Sequence, residues 1–203
     1  MTYNPTNVRR LAPQPDPGVQ ARMDRLRELG IGTLPDPEFD AIAAKAAQLA
    51  STPYAMVNFL SDRQQYFAGL HVPPSHQHSA ALQTSPSTAH PPVDRTMDLD
   101  HGWCPYVVTR KKALPLNDVL EYPRWKGNPV ITKLGIRSYL GAPLIERRET
   151  EFGESAVVLG TVCVIDTEKH SWGQSGVDLI KGLAEELVTL IHQRERQGAR
   201  PAR

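Results

Sequence analysis

The chain has 203 residues, which suits one domain with a sizeable core or one domain with tails. Its 23 basic and 22 acidic side chains nearly balance, and no apolar run approaches the ~20 residues of a membrane span, so neither nucleic acid nor a membrane is expected as a partner. Two cysteines are too few for a disulfide framework, and no signal peptide is recognisable, so we expect a cytoplasmic protein.

The N-terminal quarter predicts a disordered arm followed by two helices. Residues 1–18 are rich in proline and poor in apolar side chains, which is typical of disorder. Val19–Leu29 has apolar residues spaced for one helical face, and Arg22 and Arg25 fall on the opposite, polar side. Asp36 is a good N-cap for the second helix, because a proline follows it at the first helical position and an apolar stripe comes next.

A β-hairpin and a long loop come next in the chain. Tyr54–Leu60 and Gln65–Leu70 are short strand-like runs joined by a polar turn, which is the pattern of a hairpin. Residues 71–100 are rich in Pro, Ser, His and Gln and are too long for an ordinary connection. We expect them to form either a lid over a site or a disordered insertion.

The second half of the chain predicts short helices, further strands and a long final helix. Gly102–Lys111 has the pattern of a short helix, and Ala113–Leu116 that of a short strand. Helical turns are predicted up to Leu134, and the next strand is predicted over Ile136–Ile145. The last helix covers about Ser175–Arg194, where apolar residues recur at alternating three- and four-residue spacing.

The run Val157–Asp166 predicts the middle of the fold. It is almost continuously apolar and β-branched, which indicates a strand covered on both faces. Gly160 interrupts the run and marks a bulge, a bend or the close approach of another group. Consecutive strands with helices at both ends favour an α+β fold with an antiparallel sheet. A single domain is predicted over residues 19–196, with a disordered tail at 197–203.

Four segments of the sequence resemble the GAF domain family of small-molecule-binding signalling modules, over about Leu34–Glu195. The segments are Tyr54–Gln65 (YAMVNFLSDRQQ), Tyr122–Val130 (YPRWKGNPV), Ile136–Leu144 (IRSYLGAPL) and Gly160–Asp166 (GTVCVID). The resemblance implies a sheet of about six antiparallel strands with the N- and C-terminal helices on one face. It places a ligand pocket, with short helices and loops, on the other face.

The resemblance also implies how such a module signals. GAF domains usually act beside an output domain, and this chain has no room for one, so we expect a free-standing GAF domain-containing protein. Its signal would pass through a homodimer formed by the terminal helices, or to a separate kinase or transcription partner. Leu183 and Leu190 widen the apolar surface of the last helix and favour the homodimer.

Eight residues are candidates for binding the unidentified ligand. Arg137, beside Tyr139 in a predicted strand, would direct its guanidinium into the pocket and recognise a carboxylate or phosphate. The alternative, which we favour, is an ion pair of Arg137 or Arg124 with Asp118. Aromatic candidates would line an apolar pocket with polar tips, or they would be core packing. The full set is Trp103, Cys104, Tyr106, Asp118, Arg124, Trp125, Arg137 and Tyr139.

Cys104 is the sharpest candidate for chemistry. Pro105 suits the first position of a helix, which would make Cys104 its N-cap and lower the pKa of the thiol through the helix dipole. His101 would then serve as a base or a fellow ligand. The alternative is a small buried apolar side chain, which is common for free cysteine. Cys163 falls in the middle of a predicted strand and is expected to be core.

A metal or haem site is a further alternative, and the cofactor is otherwise unknown. His76, His78 and His101, with Cys104, offer imidazole and thiolate ligands for zinc or haem iron. Spacing within a loop proves little, however, and no compact ligand motif is present. Solvated loop histidines are the simpler interpretation.

Three functions follow from these observations. We expect a sensory or regulatory module rather than an enzyme. The first alternative is a redox enzyme of the free-methionine-sulfoxide reductase type that uses Cys104, with His101 as its partner. That chemistry requires a resolving cysteine within reach. The second alternative is a dimerisation scaffold with a degenerate pocket.

Overall fold

The computed structural model describes residues 15–73, 94–151 and 153–198. Most of the predicted N-terminal arm, the end of the tail, and His76 and His78 of the predicted loop lie outside these ranges. Among the described residues, no helix is both long enough and apolar enough to cross a bilayer.

Six antiparallel strands form one sheet, as expected, in the order β3-β2-β1-β6-β5-β4. The predicted central run lies in β6, which pairs with β1 on one side and β5 on the other. Its last nine residues are all buried, so the prediction of an interior strand is confirmed. The strands are β1 Tyr54–Leu60, β2 Gln64–His71, β3 Thr96–Asp98, β4 Leu114–Leu116, β5 Ser138–Thr150 and β6 Gly153–Asp166.

Strand β3 lies within the segment that was predicted as a continuous loop. It has three residues and pairs with the edge of β2, where Met97 lies opposite Gln65. A strand this short carries too few residues to show an alternating pattern, which is why the sequence did not predict it.

Gly160 marks both a bulge and a close approach. Between β5 and β6, Leu144 pairs with Gly160 but Ile145 pairs with Val158, so one residue of β6 is left over. A Cβ atom at position 160 would lie 2.2 Å from the carbonyl oxygen of Asn58. Only glycine allows β1 to approach β6 this closely.

Three helices cover one face of the sheet, as predicted. They are α1 Val19–Glu28, α2 Pro37–Ala50 and α5 Gly173–Gly198. The Asp36 carboxylate caps α2 by accepting hydrogen bonds from the backbone N–H groups of Glu38 and Phe39. The final helix α5 runs past the predicted domain end at residue 196. The central residues of this first core cluster are Phe39, Ala43, Ala46, Val57, Leu140, Leu144, Val162, Ile180 and Leu187.

Arg22 and Arg25 are buried, although the helical pattern predicted them on a polar face of α1. The Arg22 Nε donates to the carbonyl oxygen of Leu60 at 2.8 Å. Arg25 forms a two-point ion pair with Glu146 of β5, with both N···O distances 2.8 Å, and also contacts Glu195 of α5. The prediction was wrong because partners distant in sequence satisfy the two guanidinium groups.

Short helices and turns cover the other face of the sheet. They are α3 Cys104–Arg110, two 3-10 turns at Val119–Glu121 and Pro123–Trp125, and α4 Pro129–Leu134. Their side chains and the sheet form a second core cluster, which includes Tyr54, Met56, Phe67, Trp103, Val107, Trp125, Ile136, Tyr139 and Cys163. We call this side of the sheet the site face.

Candidate functional site

The floor of the candidate site is a set of neighbouring side chains on three central strands. Cys163 of β6 pairs with Met56 of β1 and with Gly141 of β5. Asn58 and Thr161 pair two residues further along. Because side chains alternate along a strand, the side chains of Cys163, Met56, Asn58 and Thr161 point to the site face. Asn58 and Thr161 are fully buried polar residues.

Helix α3 brings Cys104 into contact with this floor. The Cys104 Sγ lies 3.6 Å from the Cys163 Sγ and 3.5 Å from the Tyr139 hydroxyl. The Cys163 Sγ lies 4.0 Å from the Met56 Sδ. Cys163 is core, as predicted, and the structure also places it against the other cysteine, which the sequence did not predict.

The acidity of Cys104 has a different cause from the one predicted. The helix begins at Cys104, and its N-cap is Trp103, so the prediction of Cys104 as the N-cap was wrong. The contact with the Cys163 thiol lowers the pKa of the Cys104 thiol, although burial acts to raise it. The Tyr139 hydroxyl acts in the same direction as Cys163. The contact with Cys104 and burial both raise the pKa of Cys163.

Gly141 gives Tyr139 the room to reach Cys104. The Tyr139 ring leans along β5, so that a Cβ atom at position 141 would lie 2.2 Å from its hydroxyl oxygen. The ring also packs against Trp103, with 5.2 Å between ring centroids. Burial raises the pKa of the Tyr139 hydroxyl, which therefore stays protonated and can donate to the Cys104 sulfur.

Asn58 and Gln65 connect the floor to the chain that leads into α3. The Asn58 side-chain amide donates to the Gln65 side-chain oxygen at 2.8 Å. The Gln65 amide donates in turn to the carbonyl oxygens of Asp98 at 2.7 Å and His101 at 2.8 Å. The sequence analysis missed both residues. Asn58 in the otherwise apolar strand YAMVNFL was the available signal.

Four buried polar atoms around the site face have no hydrogen-bond partner among the described residues. They are the Asn58 Oδ1, the Thr161 Oγ1, the Trp103 Nε1 and the Trp125 Nε1. Such a group costs about 1–3 kcal/mol when nothing satisfies it. Two oxygen atoms of the floor and two indole N–H groups of the covering layer therefore lack a polar group that would satisfy their hydrogen bonds.

The aromatic candidates pack as a core in this conformation. Trp103, Trp125 and Tyr139 are buried in the second core cluster. Tyr106 meets Trp125 edge-on, with ring centroids 4.4 Å apart. Arg124 is exposed and its guanidinium stacks over the Trp125 ring at 4.0 Å. These rings therefore pack as a core, which is one of the two alternatives that the sequence left open. Contacts between them and a ligand are part of the proposed function.

Asp118 and Arg137 form the ion pair that the sequence analysis favoured. The two N···O distances are 2.7 and 3.1 Å, and Lys169 contributes a third contact at 2.8 Å. Arg137 lies just before β5 rather than within it, so the alternation that would have directed it into a pocket does not apply. Arg137, and to a smaller extent Lys169, holds the pKa of Asp118 well below its usual range, although burial opposes this.

The ring of His101 contacts residues other than Cys104, for which it was predicted as a base or fellow ligand. Its Nδ1 lies 2.6 Å from the Asp100 carboxylate and its Nε2 lies 3.2 Å from the Lys133 Nζ. Both ring nitrogens therefore have partners other than the Cys104 thiol. Ligand atoms of Asp98, Asp100 and His101 lie within 4.8 Å of one another, which is a common surface arrangement and not by itself a metal site.

A separate groove of about 730 Å³ lies between β5 and α5, away from these residues. Its walls combine small apolar side chains with basic ones, such as Lys112, Arg147 and Lys181. None of the eight predicted ligand residues lines it.

Comparison with known proteins supplies the family. A sequence profile described as GAF domain matches residues 35–191. The chain belongs to the GAF domain family. A comparison with curated proteins gives no match. The GAF domain therefore covers the sheet, α2, most of α5 and the whole candidate site.

Solved structures share this fold at low sequence identity. The GAF domain of a phosphoenolpyruvate-protein phosphotransferase from Acinetobacter is 14% identical with a TM-score of 0.54, covering 91% of this chain and 99% of its own. A far-red cyanobacteriochrome photoreceptor is 17% identical with a TM-score of 0.55, covering 87% and 94%. A type II free methionine-R-sulfoxide reductase from Thermoplasma acidophilum is 11% identical with a TM-score of 0.51, covering 77% and 91%. One fold thus serves different activities.

Proposed function

We propose that this GAF domain is a sensory or regulatory module that binds a small polar molecule between the site face and the α3 layer. The observation that carries the proposal is the group of four buried, unpartnered polar atoms. Protein interiors satisfy nearly all such groups, and four of the six such atoms among the described residues lie on the floor or in the layer that covers it, which indicates a missing partner there. GAF domains are typically sensory and ligand-binding, which supports this choice.

The donor and acceptor types of the four atoms indicate which groups the ligand should carry. The indole N–H groups of Trp103 and Trp125 require acceptors, and the Asn58 oxygen requires a donor. The Thr161 hydroxyl serves either role. The ligand should therefore carry both donors and acceptors. Its entry requires the α3 layer to shift, because aromatic rings fill that layer in the conformation described here.

Native mass spectrometry of the freshly purified protein tests binding, followed by thermal-shift screening of any molecule that is released. Thr161→Val and Asn58→Leu should abolish the shift. Tyr66→Phe is the matched control, because the Tyr66 hydroxyl is also buried and unpartnered but lies in the first core cluster, on the other side of the sheet. Equal shifts in all three variants and the parent would refute binding at the site face.

Signal output through a homodimer is the second part of the proposal. Leu190 on α5 is only partly buried and remains available to a partner helix. Leu183 is not, because it packs in the first core cluster. Sedimentation across a concentration series tests the dimer, with Leu190→Lys expected to weaken it. A chain that stays monomeric at all concentrations would leave a separate kinase or transcription protein as the output partner.

The compartment is the third part of the proposal. Two cysteines are too few for a disulfide framework and fit a reducing compartment, which supports the cytoplasm.

A methionine-sulfoxide reductase is the second candidate function, and the contact of Cys104 with Cys163 is the observation that favours it. In that reaction a cysteine thiol takes the sulfoxide oxygen and becomes a sulfenic acid, releasing methionine. The second thiol then displaces water to form a disulfide, which an external dithiol reduces. Consumption of free methionine sulfoxide that is lost in Cys104→Ser would support the enzyme. Absence of turnover in the parent protein would exclude it.

A further inference from the structure

The two cysteines of the chain are in contact although they come from different layers of the fold. Cys104 begins α3, and Cys163 lies in β6, the strand paired on both sides at the centre of the sheet. Their sulfur atoms are 3.6 Å apart. A disulfide bond has an S–S length of about 2.05 Å, so the sulfurs need to approach by about 1.5 Å.

We propose that Cys104 and Cys163 form a reversible disulfide when the protein meets a peroxide, so that this GAF domain carries an oxidation site in its core. Cys104 is the attacking thiol and Cys163 resolves it. The proposal concerns the thiol pair alone, and it holds or fails independently of ligand binding.

The reaction balances with hydrogen peroxide as the oxidant. The Cys104 thiolate attacks one peroxide oxygen, the O–O bond breaks, and the departing oxygen takes a proton and leaves as water. The Cys163 sulfur then attacks the Cys104 sulfenic acid, and its proton leaves with the hydroxyl group as a second water. Two thiols and one peroxide thus yield one disulfide and two waters, and an external dithiol restores the thiols.

The neighbours of the two sulfurs support this assignment of roles. The Tyr139 hydroxyl lies 3.5 Å from the Cys104 sulfur and can donate to a thiolate there. The same thiolate is favoured by Cys163, which lowers its pKa. Cys163 has the Met56 thioether at 4.0 Å, which is no donor to a thiolate. The thiolate therefore forms first at Cys104.

Movement of α3 would let peroxide reach the thiols and would let the two sulfur atoms come together. The thiols are 5% and 2% exposed, so peroxide reaches them only when a covering element opens. Helix α3 has seven residues, whereas β6 is hydrogen-bonded to a strand on each side. The short helix is the part that opens with the smaller free energy. Closing the disulfide would then fix α3 against the floor of the site.

Intact mass spectrometry of the full chain tests the proposal directly. The reduced protein, freed of reductant, is treated with hydrogen peroxide in native buffer and in urea. The native protein should lose the mass of two hydrogen atoms and stay monomeric on a non-reducing gel. Because the chain has two cysteines, an intramolecular disulfide can only join Cys104 to Cys163. Addition of a dithiol should reverse the change.

Two cysteine variants test the order of the steps. Cys163→Ser should stop at the sulfenic acid, which a dimedone-type probe traps on Cys104. Cys104→Ser should keep its remaining thiol under the same treatment. Tyr139→Phe should slow the disulfide several-fold and shift its pH profile to higher pH, which loss of packing alone would not do.

Several results would overturn the inference. Thiols that survive peroxide in native buffer but react in urea would be inert core residues. Oxidation to sulfinic acid, or a disulfide between two chains, would show that Cys163 does not resolve Cys104. These outcomes appear in the wild-type protein and so do not depend on whether a variant folds.

Discussion

At the scale of the residue, the candidate site is distinguished by buried polar atoms that lack hydrogen-bond partners. Thr161 and Asn58 contribute acceptors to the site face; Gln65 satisfies the Asn58 amide group, but no described residue completes the two oxygens. Stability alone would favour an apolar side chain at position 161. If the proposed ligand binds here, these residues would trade stability for binding, which is common at functional positions.

Thr161→Val should therefore raise the free energy of unfolding of the ligand-free protein by about 1 kcal/mol. Valine matches threonine in shape but removes the unpartnered hydroxyl. Urea denaturation monitored by tryptophan fluorescence measures the change. Tyr66→Phe should give a similar gain, because it removes another buried, unpartnered hydroxyl. A loss of stability in Thr161→Val would mean that a buried water already satisfies the hydroxyl.

Gly141→Ala should lower the free energy of unfolding by about 1–3 kcal/mol, because the new methyl group would overlap the Tyr139 hydroxyl. The Tyr139 ring is buried and has no free direction in which to move. Gly182→Ala is the matched control. Gly182 lies in α5, and the methyl group of an alanine there would meet open space, so this substitution should stabilise by up to about 1 kcal/mol through helix propensity. If both variants lost the same stability, overlap with Tyr139 would not be the cause.

Contacts between elements were harder to predict than the elements themselves. Local signals located the cap of α2, the central strand β6 and the glycine bulge, because each depends on neighbours in the chain. The Arg25–Glu146 pair joins residues 121 positions apart, and the Cys104–Cys163 contact joins residues 59 apart. No local pattern contains such pairings. The sequence placed Arg25 on a polar helical face because hydropathy cannot distinguish a solvated arginine from a buried, paired one.

Arg25→Met should lower the free energy of unfolding by about 3 kcal/mol, because it leaves the buried Glu146 carboxylate without its main partner. Arg27→Met on the same helix is the control. Arg27 is 70% exposed and pairs with an exposed Asp24, so its loss should cost less than about 0.5 kcal/mol. Chemical denaturation of the two variants measures the difference.

A second substitution distinguishes charge from packing in this result. Glu146→Gln in the Arg25→Met background should recover part of the lost stability, because an uncharged amide is cheaper to bury than an unpaired carboxylate. If the double variant were less stable than Arg25→Met by the full cost of a second deletion, the two side chains would not be acting as a pair.

Carboxylates with lowered pKa values connect separate parts of the whole molecule. Asp36 is paired with Arg194, Asp118 with Arg137, and Glu195 with Arg25, and each pairing lowers the pKa of the carboxyl group. Burial acts to raise the pKa of Glu146, but hydrogen bonds from Arg25 and His192 outweigh it. The pairs tie α2 to α5, the covering turns to the start of β5, and α1 to both β5 and α5.

Acid should therefore unfold the domain through these pairs. A carboxyl group whose pKa is lower in the folded state binds protons more readily when unfolded, so its contribution is complete above the ordinary pKa values of about 4. The contribution is lost as the pH falls from there through the lowered folded values. The free energy of unfolding should accordingly be flat near neutrality and decrease from about pH 5 downward. Urea titrations at a series of pH values measure this curve.

Asp118→Asn should make the acid limb of that curve shallower, since one proton-binding difference between the folded and unfolded states is removed. The same variant should be less stable than the parent at neutral pH, because asparagine cannot replace the charge-assisted bonds to Arg137 and Lys169. The two curves should therefore converge as the pH falls. Parallel curves would show that the Asp118 carboxyl keeps its ordinary affinity for protons in the folded domain, and that the pair with Arg137 anchors the covering turns without contributing to acid sensitivity.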